Sequence, residues 1–266
     1  TDDFKNTIIA ENNPFLLNSY TDHFISAIQY SFMFNNQELN RIKNYEYFKF
    51  NVETSGNMLS TYNRVANNPK DPVTNSYKFA GIRYAEYVKS EIDVRFYQNN
   101  HGSNLVERFN LGIGVPYGNL DVLPFEKSFF GGGSNGIRAW PARRLGPGSL
   151  SDSLQNAANQ IGELKIEANI EYRFDITKLF KGAFFVDAGN IWDITQSDLT
   201  TDEASFDSLK SLQDIAIGSG FGLRYDFSFL VFRADFGFKT YEPYADPSKK
   251  WFNSYNFKNG VINIGI

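Results

Sequence analysis

The sequence predicts an all-β chain folded as part of an antiparallel transmembrane barrel. Three observations carry this. Apolar and polar side chains alternate with a period of two over long stretches, the connections alternate between short and long, and aromatic residues reach 17% of 266 residues, with 26 Phe and 15 Tyr. Membrane strands need about 9 to 11 residues to cross the bilayer. Their turns are short on one side and long on the other, and rings gather at the two interfaces.

The alternation is strictest over 163–176. Glu163, Lys165, Glu167, Asn169, Glu171, Arg173 and Asp175 form one face, and Leu164, Ile166, Ala168, Ile170, Tyr172, Phe174 and Ile176 the other. Over 229–239, Leu230, Phe232, Ala234, Phe236 and Phe238 oppose Arg233, Asp235 and Lys239. Over 215–227, Ile215, Ile217, Phe221, Leu223, Tyr225 and Phe227 oppose Gly218, Gly220, Gly222, Arg224 and Asp226. Weaker alternation at 23–35, 44–55, 79–97, 106–117, 182–192 and 260–266 brings the expectation to about nine strands.

Alternation alone also suits a soluble sheet with one wet face. Length separates the two readings. Many of these segments run about 10 to 14 residues, whereas soluble strands centre on about 5 to 6. The connections agree: 36–43 is short, 57–76 long, 98–103 short, 118–162 very long, 177–181 short, 193–211 long, 226–228 very short and 240–256 long.

Composition removes other classes. A net charge of −4 with no basic tract points away from nucleic acid. The absence of cysteine excludes disulfides and thiolate metal sites. Mean hydropathy is −0.38, and no apolar run approaches the roughly 18 residues of a membrane helix. Thr1 opens the chain without a basic, then apolar leader, so either a signal has been removed or this is a piece of something longer. His23 and His101 are far apart, and His101 is expected in a short turn. No Gly-x-Ser-x-Gly is present, Ser134 belongs to a glycine-rich loop, and Asp198, Asp202 and Glu203 fall in a polar outer loop where carboxylates are solvated. No enzyme activity, metal or cofactor is expected.

The longest connection contains Phe129-Phe130-Gly131-Gly132-Gly133-Ser134-Asn135-Gly136-Ile137-Arg138-Ala139-Trp140, then Arg143-Arg144-Leu145-Gly146-Pro147-Gly148. No Gly-Lys-Ser/Thr follows, so it is not a phosphate loop. Bulky apolar groups beside glycines indicate a loop that packs against something.

Here the chain resembles the BamA/TamA outer-membrane protein assembly superfamily. Arg138-Ala139-Trp140 is similar to the Arg-Gly-aromatic core of that family's inward-folding loop, with Ala in place of the usual Gly, and Gly131, Gly132 and Gly133 precede it. The wording of the stretch, with the Leu-Gly-Pro-Gly that follows, most resembles the TamA-like lipoprotein branch of Bacteroidetes. Phe185-Val186-Asp187-Ala188-Gly189-Asn190-Ile191-Trp192 matches a second motif, aromatic-x-Asp-x-Gly-x-x-aromatic. The Gly-x-Gly-x-Gly-x-Arg-Tyr-Asp pattern of 218–226 is a third match. Together they cover about the last half of the chain, in order.

The resemblance implies that Arg138 reaches into the barrel lumen and pairs with carboxylates on the following strands. Parity points the same way. Glu171 lies on the charged face of its strand, and Asp187 points inward beside it if Phe184 and Val186 meet lipid. Arg138 then has two acceptors for a forked contact. A solvated loop arginine, unrelated to those acids, is the reading without the motif.

The resemblance further implies that the whole chain, 1–266, is the C-terminal portion of one sixteen-stranded barrel domain. The long loop would join the eleventh and twelfth strands, so the chain would begin in or after the seventh. The early strands and the periplasmic repeats are absent from this sequence. Val261-Ile262-Asn263-Ile264-Gly265-Ile266 would be the last strand, one lip of a weakly paired seam, and it stops short of the family's usual terminal aromatic residue. The implied role is non-catalytic assistance to polypeptides entering or crossing the outer membrane. The implied partners are outer-membrane lipids, nascent outer-membrane or surface proteins, and periplasmic or inner-membrane assembly partners reached through upstream domains. A passive channel or porin shares the strands and loop lengths but has no need of Arg138 or Asp187. A soluble adhesin or β-sandwich would purify without detergent.

Overall fold

The computed structural model describes residues 21–38, 43–72, 74–150, 160–195, 201–227 and 230–265. Its main element is a nine-stranded antiparallel meander. Along the chain run β1 (Ala27–Asn35), β2 (Tyr45–Ser55), α1 (Asn57–Val65), β3 (Lys78–Phe79), β4 (Ile82–Arg83), β5 (Tyr87–Asn100), β6 (Ser103–Pro116), β7 (Leu164–Asp175), β8 (Phe180–Trp192), β9 (Ala216–Asp226), β10 (Val231–Tyr241) and β11 (Val261–Gly265). The sheet order is β1-β2-β5-β6-β7-β8-β9-β10-β11, and β3 and β4 form a separate two-stranded hairpin. Each long strand pairs with its sequence neighbour, so the short turns fall at one end of the sheet and the long connections at the other.

All nine alternating segments lie on strands of this sheet, with two corrections. The segment 79–97 is not one strand. Ala80 and Gly81 have φ of 50° and 82° and turn the chain back, so β3 and β4 pair as a tight hairpin and β5 starts only at Tyr87. The 57–76 connection is not plain loop either, since it begins with α1. The nine strands do not close on themselves, which suits a portion of a larger barrel: β1 and β11 are the two edges of the sheet and do not pair.

The two faces differ as the alternation requires. On one face Ile170, Tyr172, Phe184, Val186, Phe221, Leu223, Phe232, Ile262 and Ile264 are exposed to the surroundings. Leu164 and Phe238 share that parity but are covered, Phe238 by Tyr255 and Phe257 of the last long connection. On the other face Glu167, Glu171, Asp187, Arg224 and Asp235 are buried, although the sheet is a single layer. What buries them is the connection between β6 and β7, folded back over the sheet.

That connection forms a finger. Its root is tied by Phe129 and Gly162, which exchange backbone hydrogen bonds of 2.8 and 3.0 Å. Gly131 bridges Leu145, and the Gly133 N–H donates to the Trp140 carbonyl at 2.8 Å. Gly132 and Gly133 take φ of 84° and 91°, which side-chain-bearing residues rarely adopt. Their backbone can therefore turn inside so narrow a finger. Ile137, Ala139, Trp140 and Leu145 make its apolar body and pack on Ala216 of β9, with Tyr244 alongside.

Candidate functional site

The finger lies across six strands. On β6, Arg108 donates to the Asn135 carbonyl at 2.8 Å. On β7, Asn169 donates to the Gly136 carbonyl at 2.9 Å. On β10, Arg233 donates to the Ser134 carbonyl at 3.1 Å and to the Asn135 side chain. The strands make room for it. A Cβ at Gly218 of β9 would sit 2.5 Å from the Ala139 Cβ, and one at Gly237 of β10 would sit 2.6 Å from the Arg138 carbonyl oxygen. Non-glycine residues there would lift the finger off the sheet.

Arg138 is at the centre and is 4% exposed. Its Nε and Nη2 donate to the two oxygens of Asp187 at 2.9 and 2.8 Å, a fork-to-fork contact. Its backbone N–H donates to Asp187 as well, at 3.0 Å. Nη1 donates to Glu171 and lies 3.6 Å from Asp235. The guanidinium also stacks on Phe185, 3.5 Å from the ring centroid. The sequence-derived residues Arg138, Glu171 and Asp187 are therefore in direct contact. Ala139 faces Gly218, and Trp140 donates from Nε1 to the Tyr244 hydroxyl at 3.3 Å.

Neighbouring groups complete the cluster. Glu171 also accepts from Arg173 at 2.6 Å and from Arg224 at 2.9 Å. Arg224 further donates to Asp235, and Asn169 donates to Asp187 at 2.9 Å. Three arginines, 138, 173 and 224, thus meet three carboxylates, Glu171, Asp187 and Asp235. A buried group of charges persists only when paired and hydrogen-bonded. The sequence put Arg224 and Asp235 on the interior face but gave no reason to join them to Arg138. That needs the register, which places Asp235 opposite Gly222 of β9 and Asn263 of β11.

Sequence reasoning placed Asn263 only as part of a strand. It is 9% exposed, and its Nδ2 donates to the Arg138 carbonyl at 2.9 Å. Val261, Ile262, Ile264 and Gly265 join β10 through the backbone ladder, and Ile266 lies outside the described residues.

A separate polar group sits at the root of the long connections. Glu163 and Asp193 flank the ends of β7 and β8, just past the Leu164–Trp192 pair, and both are buried. Burial pushes the Asp193 carboxyl well above its ordinary value, and the nearby Glu163 charge adds to this. Burial raises Glu163 too, against the lowering effect of the Thr195 and Ile194 N–H groups that it accepts. Among the described residues, no three His, Cys, Asp or Glu side chains stand together as a metal site. His23 precedes β1 at the long-connection end of the sheet, and His101 sits in the short turn between β5 and β6 at the opposite end.

The sequence profile described as the Omp85 superfamily domain matches residues 54–260. The outer membrane protein assembly factor BamA of Neisseria meningitidis serogroup B is 28% identical over 88 residues, which take in 31% of this chain and 11% of that protein. The crystal structure of BamA from Haemophilus ducreyi lacking POTRA domains 1–3 superposes with a TM-score of 0.43 at 11% identity, covering 93% of this chain and 54% of that one. This chain therefore spans about half of that solved chain and a small part of the curated relative.

Proposed function

The chain belongs to the Omp85 superfamily, and from that premise we propose that it is the C-terminal part of a sixteen-stranded barrel that assists polypeptides into or across the outer membrane without catalysis. Its place is the bacterial outer membrane. The face bearing Ile170, Phe184 and Leu223 meets lipid there, because a row of exposed large apolar side chains on a long sheet is stable only in an apolar surround. The loop wording, Phe129 to Trp140, supports a TamA-like branch of the superfamily.

The observation that carries the proposal is the finger's hold on six strands, ending on the terminal strand through Asn263. A passive pore needs a wall and an open lumen. Here the interior face is covered and cross-tied, and among the described residues the edge strand β11 pairs with β10 only over Arg233–Gly237. Farther out β10 continues to Tyr241, which bridges Trp251 instead. A partly paired edge offers main-chain donors and acceptors to an incoming strand. The clients are nascent outer-membrane or surface proteins, and assembly partners in the periplasm or inner membrane dock through domains outside this chain. Neither a cofactor nor nucleic acid enters the scheme.

The test uses the full-length protein in liposomes. This chain contributes no cysteine; one pair is introduced, in β11 and in the first barrel strand, with any cysteine elsewhere in the full-length protein replaced. Disulfide closure of the seam should sharply reduce insertion of an unfolded barrel client while the protein still folds, with recovery on reduction. Full insertion with the seam closed, or ion conductance with no insertion at all, would favour the passive channel.

A further inference from the structure

We propose that Asn263 is a positioning residue that ties the finger to the terminal strand, so that the seating of Arg138 sets how firmly β11 pairs with β10. The inference rests on reading β11 as the seam strand, but the tie can be tested by itself.

Arg138 makes contacts in two opposite directions. Its guanidinium and its N–H point to Asp187 on β8 and Glu171 on β7. Its carbonyl points the other way and accepts from Asn263 on β11. Between β8 and β11 lie β9 and β10, so with Glu171 on β7 one residue spans five neighbouring strands. The carbonyl can pass because Gly237 lies beneath it, where a Cβ would come within 2.6 Å of the oxygen and 2.9 Å of the Ala139 nitrogen.

On the β11 side, Ile262 and Ile264 face away from the finger and are exposed. Asn263 is the one described β11 side chain that hydrogen-bonds the finger. The chemistry needs a neutral donor at this spot. A carboxylate at position 263 would face the Arg138 carbonyl with no proton to give. It would also sit opposite Asp235 in the register, where like charges repel. A leucine would keep the branched shape of asparagine, in a bulkier form, without donating, and would leave a buried carbonyl unsatisfied.

The consequence is a coupling. Shifting the finger moves the Arg138 peptide, and Asn263 passes that displacement to β11. Loss of Asn263 should free the seam strand while leaving the Arg138 cluster in place.

Hydrogen exchange on the full-length protein in detergent micelles reads this directly. Asn263→Leu should speed exchange of the amides in 261–265 and 233–237 by about tenfold, with 183–190 of β8 unchanged. Asn263→Ser, which keeps a shorter donor, should fall between. The decisive comparison is Arg138→Ala. With Asn263 present it should speed exchange in β11, three strands from Asp187. In the Asn263→Leu background that additional effect on β11 should vanish. Unchanged β11 exchange in Asn263→Leu, or a full Arg138→Ala effect on β11 without Asn263, would overturn the tie. A measured coupling with client insertion unaltered would leave the tie standing and instead sink the seam reading of function.

Discussion

Replacing Arg138 with alanine should release the finger without dissolving the sheet. The substitution removes both side-chain bonds to Asp187, the bond to Glu171 and the 3.6 Å contact with Asp235. The survivors are unequally placed. Glu171 keeps Arg173 and Arg224, and Asp235 keeps Arg224. Asp187, fully buried, keeps only neutral donors, namely Asn169 and the backbone N–H of residue 138. Stranding one partner of a buried pair costs about 3 to 5 kcal/mol. At roughly 1.4 kcal/mol per decade, the open population of the finger should rise from about a hundredfold to several thousandfold. Trypsin reads that population, because Arg143 and Arg144 are exposed on the finger but cannot be threaded into a protease until it opens. Asp187→Ala should have a similar effect, and the double variant should be little worse than either, since both remove one interaction. Arg138→Lys should recover only part, because an ammonium cannot make the forked contact. An increase in cleavage below about tenfold, or strict additivity of Arg138→Ala and Asp187→Ala, would refute the argument.

Other consequences are as direct. Cysteines at Ile170, Phe184 and Leu223 should react with a label delivered from the lipid phase, those at Asn169 and Asp235 should not, and Phe238 should be shielded by Tyr255 and Phe257. Lipid-phase labelling at Asn169 would invert the barrel. Gly218→Val should push Ala139 off β9, since even a Cβ would lie 2.5 Å from it, and should cost about 1 to 3 kcal/mol, seen as faster trypsin cleavage with strand content intact. The buried pair Glu163 and Asp193 sets a pH dependence. Both carboxyls are raised by burial, so the folded chain binds more protons than the unfolded one above the ordinary carboxylate range. Stability of the loop root is then greatest at low pH, falls as pH rises through the raised folded-state values, and levels off beyond them. Asp193→Asn should flatten that slope and protect 201–206 at pH 8, as measured by hydrogen exchange between pH 5 and 8. An unchanged slope would show that the pair does not share this burden.

The strands were legible because a membrane barrel writes its pattern at length. In 163–176 the alternation continues for fourteen positions without a break, and parity placed Glu171 on the charged face, with Asp187 beside it once Phe184 and Val186 are taken to meet lipid. The same rule misled over 79–97. The alternation there carries across a turn whose signature is backbone sign at Ala80 and Gly81 rather than side-chain polarity. Helix α1 went unread because nine residues between strands offer too little periodicity. The partners of Arg138 divide along the same line. Glu171 and Asp187 could be proposed from motif and parity. Asp235 and Asn263 could not, because their nearness depends on the register of β9, β10 and β11 and on the finger's path over Gly218 and Gly237. The Asn263 contact goes to a backbone oxygen, which carries no sequence signal at the accepting position.

The charged cluster does something that an apolar plug could not. Ile137, Trp140 and Leu145 already pack the finger against Ala216 of β9, and buried ion pairs are in general no more stabilising than well-packed apolar groups of the same size. Apolar contacts are also non-directional, so they would tolerate rotation of the finger about its own axis. The fork between Arg138 and Asp187 does not, since two parallel bonds and the N–H of the same residue converge on one carboxylate. Fixing the guanidinium and the N–H together fixes the peptide plane that follows. That plane carries the carbonyl aimed at Asn263. The ionic contact on β7 and β8 is therefore what gives the bond to β11 its direction, and an apolar replacement that seated the finger equally well would still be expected to loosen β11.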